Sequence, residues 1–172
     1  MPTVRRLDAQ EAIASLPALS AILADCVEGG ASVGFMSPFA PADAEPYWLG
    51  VAAAVERGEV LLFAAELDGE MTGTVQIGFA LKPNQPHRAD LMKLLVHRKA
   101  RGRGLSKLLM RMAETEAARL GRTLLVLDTA TGEPAEALYE KLGWQRCGVI
   151  PGYALFPDGR PCDTTIFCKQ MG

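Results

Sequence analysis

Several things are absent from this 172-residue sequence. No apolar run approaches the roughly 20 residues needed to cross a bilayer, so a membrane span is not expected. The formal charge at pH 7 is only −2, from 18 Lys plus Arg against 20 Asp plus Glu. That balance speaks against a general nucleic-acid binder. Cys26, Cys147, Cys162 and Cys168 show no Cys-x-x-Cys spacing, and His87 and His97 stand apart with no ligand-like partner. No metal is therefore expected, and the cysteines read as free thiols of a reducing compartment. Arg5 and Arg6 are not followed by an apolar h-region, because Asp8, Gln10 and Glu11 intervene. A cytoplasmic location is the expectation that follows. There are no internal repeats, low-complexity tracts or linkers.

What is present is a composition suited to a core, with 49% hydrophobic and 22% charged residues. The length fits one domain over residues 1–172. The organising stretch is Val96 to Leu120. It begins with Arg98-Lys99-Ala100-Arg101-Gly102-Arg103-Gly104-Leu105-Ser106-Lys107, then continues with Leu105, Leu108, Leu109, Met112, Ala113, Ala117 and Leu120 at helical spacing. Gly121 supplies the stop. Leu91, Leu94, Leu95 and Val96 ahead of it predict a buried strand. Strand, basic glycine turn and helix together make an anion site. Glycines let the backbone come close, the helix start offers free N–H groups, and arginines add charge. The spacing is neither a Walker A loop nor a dinucleotide fingerprint. Taken alone, these residues also suit an arginine-rich helix start with no ligand. Arg98, Lys99, Arg101, Arg103, Lys107 and Arg111 form a local basic cluster on a mildly acidic chain, which suits a small polyanion.

In chain order, Thr3–Leu7 predicts a strand, and Ala9–Val27 a helix kinked or broken at Pro17. Gly29–Phe39 is a glycine-rich loop with apolar side chains. It suits either a substrate lid or a plain connection. Ala42–Arg57 predicts a second helix, in which Trp48 reads as core. Glu59–Leu67 and Met71–Leu81 predict two antiparallel strands joined at Asp68-Gly69. Lys82–Arg88 is a loop, and Ala89–Val96 the strand into the glycine turn. After the long helix come a strand at Thr123–Leu127, a short helix at Ala135–Leu142, and closing strands at Trp144–Ile150 and Asp163–Lys169. Pro151-Gly152-Tyr153 and Pro157–Pro161 read as turns. Strand, helix, strand around the glycine turn implies a parallel pair with a right-handed crossover.

Two segments carry a resemblance to a known family. Arg101-Gly102-Arg103-Gly104-Leu105-Ser106 resembles the Gln/Arg-x-x-Gly-x-Gly/Ala pyrophosphate loop of the GNAT acetyltransferases, with Ser106 in the last small position. About thirty-five residues later, Ala135-Glu136-Ala137-Leu138-Tyr139-Glu140-Lys141-Leu142-Gly143-Trp144 resembles the family's second segment, Ala-x-x-Leu-Tyr-x-Lys-x-Gly-Phe. Gly29–Met36, Lys82–Asn84, Arg88–Val96, Leu127–Thr129 and Pro151-Gly152-Tyr153 through Arg160 look like the tabtoxin-resistance type. One family feature differs: the Asn that commonly stands seven residues before the tyrosine is Gly132 here.

The resemblance implies an α/β (α+β) GNAT fold, with a central, mixed, mostly antiparallel seven-stranded sheet flanked by helices and a splayed parallel pair at the cofactor slot. It implies acetyl-CoA as cosubstrate. By the same likeness the main chain of Leu94, Leu95 and Val96 faces the thioester and pantetheine. Arg101, Gly102, Arg103, Gly104, Leu105, Ser106 and Lys107 bind the pyrophosphate.

Acetyl transfer to an amine needs a polarised carbonyl, a base for the ammonium and an acid for the departing thiolate. Tyr139 is the family's usual acid and also borders the cofactor, since a phenol stays protonated at neutral pH. Its residue pattern alone favours packing on an apolar helix face. Asp90 and Asp128 are the candidate bases or amine clamps, with capping or turn formation as the alternative. Asp128 is expected at the end of its strand, where ligands commonly sit in such sheets. Phe35, Met36 and Tyr153, on the two loops suited to closing over a ligand, complete the expected acceptor site with Asp90 and Asp128. The expected partner is a small-molecule amine, with no nucleic acid or membrane. A peptide amine and a non-catalytic acyl-CoA sensor are the competing functions. The apolar closing strands allow a homodimer.

Overall fold

The computed structural model describes residues 1–172. One seven-stranded sheet has the order β1-β2-β3-β4-β5-β7-β6. The strands are β1 (Thr3–Leu7), β2 (Val60–Leu67), β3 (Glu70–Phe79), β4 (Arg88–Val96), β5 (Leu124–Ala130), β6 (Gln145–Leu155) and β7 (Pro161–Gln170). The helices are α1 (Ala9–Ala14), α2 (Leu16–Glu28), α3 (Pro41–Glu56), α4 (Leu105–Arg119) and α5 (Pro134–Lys141). Every neighbouring pair is antiparallel except β4 with β5. This is the expected mixed sheet with one parallel pair.

The sheet has a helical layer on each face, so its central strands are apolar in both directions. On β2, Leu61, Phe63 and Ala65 pack in the layer that holds Leu105, Leu109, Ala113 and Ala117 of α4. Leu62 and Ala64, one residue out of phase, pack with Leu19, Leu23, Trp48 and Ala52 of α2 and α3. Alternation along one strand thereby feeds two cores. The first helical stretch is broken as expected, but at Ser15: α1 closes there, and Pro17 lies in the first turn of α2, where its missing N–H costs nothing. Trp48 is core, 1% exposed.

Most boundaries agree with the sequence reading to within a few residues, and three differences concern residues of the expected site or its turns. β5 runs to Ala130, so Asp128 lies inside the strand, opposite Ile166 of β7, and not at its end. The apolar pattern stops at Leu127, whereas pairing with β7 carries the backbone three residues further. Pro151-Gly152-Tyr153 is no turn. It is an irregularity within β6, where the register with β7 jumps between Ile150 and Ala154 and the Gly152 N–H donates to the Asp163 carboxylate at 2.8 Å. β6 is the sheet's last strand, and an edge or bulge is where a strand tolerates proline. Pro161, expected in a turn, opens β7.

Candidate active site

The parallel pair is short. Arg88, Ala89 and Asp90 oppose Leu124, Leu125 and Val126, and pairing ends there. Beyond that point β5 stays with β7, while β4 runs on to Val96 along β3 alone. A V-shaped opening results, edged by backbone with no partner strand. β4 also carries a bulge: Leu95 opposes Thr74 and Met92 opposes Gln76, so Lys93 and Leu94 together face Val75 alone. Lys93 takes φ 52°, a left-handed conformation rare for a residue with a side chain, at a cost on the order of 1–3 kcal/mol. The bulge re-aims the strand at the opening. Leu94, Leu95 and Val96 line this part of β4, but Leu95 and Val96 still pair with β3, and the Val96 carbonyl accepts from Arg101 Nε at 3.2 Å.

At the end of β4 the basic turn divides into two kinds of cation. Arg98 and Lys99 begin a 3₁₀ turn and are already engaged. The Asp25 carboxylate of α2 accepts from the Arg98 N–H at 2.8 Å and from its Nε at 2.9 Å, while Lys99 Nζ lies 2.6 Å from Glu70. Arg101 is held on Val96. By contrast Arg103, Lys107 and Arg111 are exposed and make no ion pair. Gly104 is the N-cap of α4 at φ 77°, and no side chain caps the helix. The first helical bond runs from Leu108 N to Gly104 O, and the N–H groups of Gly102 to Lys107 donate to no protein acceptor. Six consecutive donors and three unpaired cations at a helix start can hold a diphosphate.

On the far side of the opening stand Asp128 and Tyr139. Tyr139 of α5 is 6% exposed, with its ring 5.7 Å from Phe167 and 6.2 Å from Trp144. Burial, and next the negative charge of Asp128, push its phenol up to about 12, with Thr129 pulling the other way. It is therefore both a core side chain and a firmly protonated acid beside a carboxylate. Asp128 makes no hydrogen bond or ion pair through its side chain. Asp90 does: Arg88 Nη1 lies 2.6 Å from it, and Arg88 is held in turn by Gln85. The two carboxylates expected to act alike thus differ, one neutralised and one free.

α5 is anchored by Glu136. Its carboxylate accepts from the Thr165 hydroxyl and, at 3.0 Å, from the Gly132 N–H, and it pairs with Arg146 at 3.1 Å. Burial pushes Glu136 up, yet these donors and the Arg146 charge leave its carboxyl below the usual range. Gly132, where the family commonly has Asn, sits at φ 84°. Glu136 had no visible role in the sequence.

The Gly29–Phe39 loop lies across the α3 side of the opening. Ser32 Oγ donates to the Leu155 carbonyl at 2.8 Å, and Ser37 N–H to the Pro157 carbonyl at 3.0 Å, tying the loop to the β6–β7 connection. Phe35 is half-buried against Phe39 (ring centroids 4.8 Å) and Tyr47 (5.5 Å). Met36 is exposed, and Tyr153, 57% exposed on the outer strand, has no partner. Sequence reasoning passed over two residues of this wall. Tyr47 accepts from Gln76 Nε2 at 2.9 Å, and Lys93 lies with its Nζ 5.6 Å from the Tyr47 ring centroid. Nothing in the local pattern separates Lys93 from an ordinary strand lysine, since only the bulge turns it inward.

The architecture has close matches among solved structures. An N-acetyltransferase from Staphylococcus aureus Mu50 superposes with a TM-score of 0.81 at 20% identity, over 99% of this chain and 98% of that one. A putative acetyltransferase from Salmonella typhimurium with its cofactor acetyl-CoA gives 0.82 at 21% identity, over 99% and 94%. These define an acetyltransferase-type fold. In sequence, the acetyltransferase (GNAT) family model matches residues 18–144, and the chain belongs to that family. It is also 36% identical over 106 residues to an uncharacterized N-acetyltransferase in the hisH-hisA intergenic region of Azospirillum brasilense. That match spans 60% of this chain and 61% of the relative, less than two thirds of its length.

Proposed function

We propose that this protein is an acetyl-CoA-dependent N-acetyltransferase acting on the primary amine of a small molecule, by direct attack in a ternary complex. The observation that carries the reading is the opening itself: β4 and β5 part after Asp90 and Val126, with six free N–H groups at one end and Asp128 and Tyr139 on its far side. Acetyl-CoA supplies the activated acetyl group. The residues fit it, since Gly102 to Lys107 offer donors for the pyrophosphate and Arg103, Lys107 and Arg111 offer charge without surrendering a native partner.

Asp128 accepts the proton of the acceptor ammonium, directly or through water, being the carboxylate that no cation holds. Tyr139 donates to the departing thiolate. Burial and Asp128 keep the phenol protonated before the step, and the phenolate left after donation regains a proton from the protonated Asp128 or from solvent, while the amide nitrogen's proton leaves to solvent. The Asp90–Arg88 pair has a positioning role at the point where the strands part. A loop tied by Ser32 and Ser37 across to the β6–β7 connection favours a small acceptor over an extended peptide. The motifs at Gly29–Met36 and Leu127–Thr129 favour the tabtoxin-resistance type within the family. Four unpaired cysteines suit a cytoplasmic setting. Val149, Ile150 and Leu155, exposed on the edge strand β6, suit pairing with a second copy.

The test follows thiol release from acetyl-CoA with amino acids, their analogues, polyamines, aminoglycosides and peptides, using wild type and Tyr139→Phe. Acceptor-dependent release is expected, with kcat about 10²- to 10⁴-fold lower in the variant. Binding of acetyl-CoA without release to any acceptor would favour a sensor, and no binding at all would overturn the site.

A further inference from the structure

The acceptor side of the opening holds a cation with nothing to pair with. Lys93 projects from the β4 bulge beneath the Gly29–Phe39 loop, so near it that a Cβ built on Gly34 would lie 3.8 Å from Nζ. Its ammonium makes no hydrogen bond and no ion pair, and lies 5.6 Å from the centroid of the Tyr47 ring. Asp128 is the anion whose charge reaches it, from beyond ion-pair distance across the opening. Burial lowers the Lys93 ammonium below its usual range, and Asp128 only partly offsets this. The other charges on this part of β4, Arg88 and Asp90, satisfy each other.

A half-buried ammonium without a partner is costly, and so is the positive φ that aims it. Both are accounted for by a ligand that brings the missing charge. With Asp128 as the amine's partner, the pocket presents one negative and one positive group on either side of the opening, with Phe35 and Tyr47 as an apolar wall. Resting on the function proposed above, we propose that Lys93 is an anion-binding residue of the acceptor pocket. It pairs with a carboxylate or other compact oxyanion close to the reactive amine, and so selects amino-acid-like acceptors over simple amines and peptide N-termini. A simple amine leaves Lys93 unpaired and sets its own charge against it. A peptide N-terminus places a neutral amide where the oxyanion belongs.

The experiment compares methionine with 3-(methylthio)propylamine and phenylalanine with phenethylamine, each pair differing only in the carboxylate. The proteins are wild type, Lys93→Met and Lys93→Arg, and a thermal-shift titration with the same compounds reads binding without turnover. Wild type is expected to favour the acids by at least roughly tenfold in kcat/KM or in affinity. Lys93→Met should erase that preference through KM, raising KM for the acids and, with the like charge gone, leaving KM for the bare amines the same or lower, and Lys93→Arg should keep part of it. Equal use of acid and amine by wild type, or a preference that survives in Lys93→Met, overturns the role of Lys93 and leaves the transferase reading intact. Acids that stabilise wild type but not Lys93→Met, with no acetylation of any amine, support the anion site and overturn the transferase reading instead. No transfer and no binding of the acids overturns both.

Discussion

Asp25 offers the sharpest test of how the basic turn after β4 is held. It lies on α2, 73 residues before Arg98, and its carboxylate, 11% exposed, accepts from the Arg98 N–H at 2.8 Å and Nε at 2.9 Å with His97 Nδ1 3.6 Å away. Replacing it with Ala removes one charge-assisted bond to a backbone donor, worth about 1.5–3 kcal/mol. It also removes an ion pair to a half-exposed guanidinium, worth at most about 1 kcal/mol after solvent screening. We expect Asp25→Ala to lose about 2 kcal/mol, a fall in Tm of about 4–8 °C for a chain of this size. Asp25→Asn keeps an acceptor for the N–H and should lose about half as much. Kinetically, the freed loop should raise KM for acetyl-CoA while kcat changes little, because neither Asp128 nor Tyr139 moves. Burial pushes the Asp25 carboxyl up, but the two Arg98 bonds and the His97 and Arg98 charges prevail and leave it below the usual range. A depressed carboxyl stabilises the fold above the unfolded-state value near 4, and that contribution is lost as the pH falls through the lower folded value. The wild-type advantage over Asp25→Ala should accordingly vanish in strong acid. Differential scanning fluorimetry between pH 3 and 7, with initial rates at varied acetyl-CoA, measures all of this. A Tm within about 1 °C of wild type at pH 7 together with an unchanged KM would refute the tether.

Two further outcomes are expected. The chain has three tyrosines, and at pH 11.5, where an ordinary phenol is more than about nine-tenths ionised, absorbance at 295 nm should show well under three ionised in the folded protein, because Tyr139 is pushed up to about 12 and burial raises Tyr47 as well. Three phenolates in protein that is still folded by circular dichroism would contradict the buried, protonated acid. Alanine at Arg103, Lys107 or Arg111 should leave stability within about 0.5 kcal/mol, since none has a native partner. Each should nonetheless raise the acetyl-CoA KM and weaken its salt dependence, whereas Lys99→Ala should leave both as they are.

What the sequence makes legible is whatever repeats with a period or carries a local backbone demand. Apolar spacing exposes α4, the glycines of the basic turn mark the break ahead of it, and Asp68-Gly69 between two β-rich runs predicts a hairpin. The site's selectivity is less legible because it depends on contacts between distant segments. Asp90 and Asp128 look equivalent as letters, and only Arg88, two residues from one of them, makes them different. Arg98 and Arg103 likewise read as one basic run until α2 brings Asp25 to the first. The three residues of β5 past Leu127 lack an apolar signal and are held by β7, so the sequence pattern alone puts Asp128 at a strand's end. Lys93 is hidden most completely, since a one-residue excess over β3 decides which way it points.

The division of the basic turn also sets out where this scaffold can be altered. Arg98, Lys99 and Arg101 are part of the framework: exchanging them disturbs α2, β3 or the end of β4. Arg103, Lys107 and Arg111 rest on nothing, so their chemistry can be rewritten with little penalty to folding. A library confined to those three would keep its members folded while it sampled new charge patterns at the start of α4.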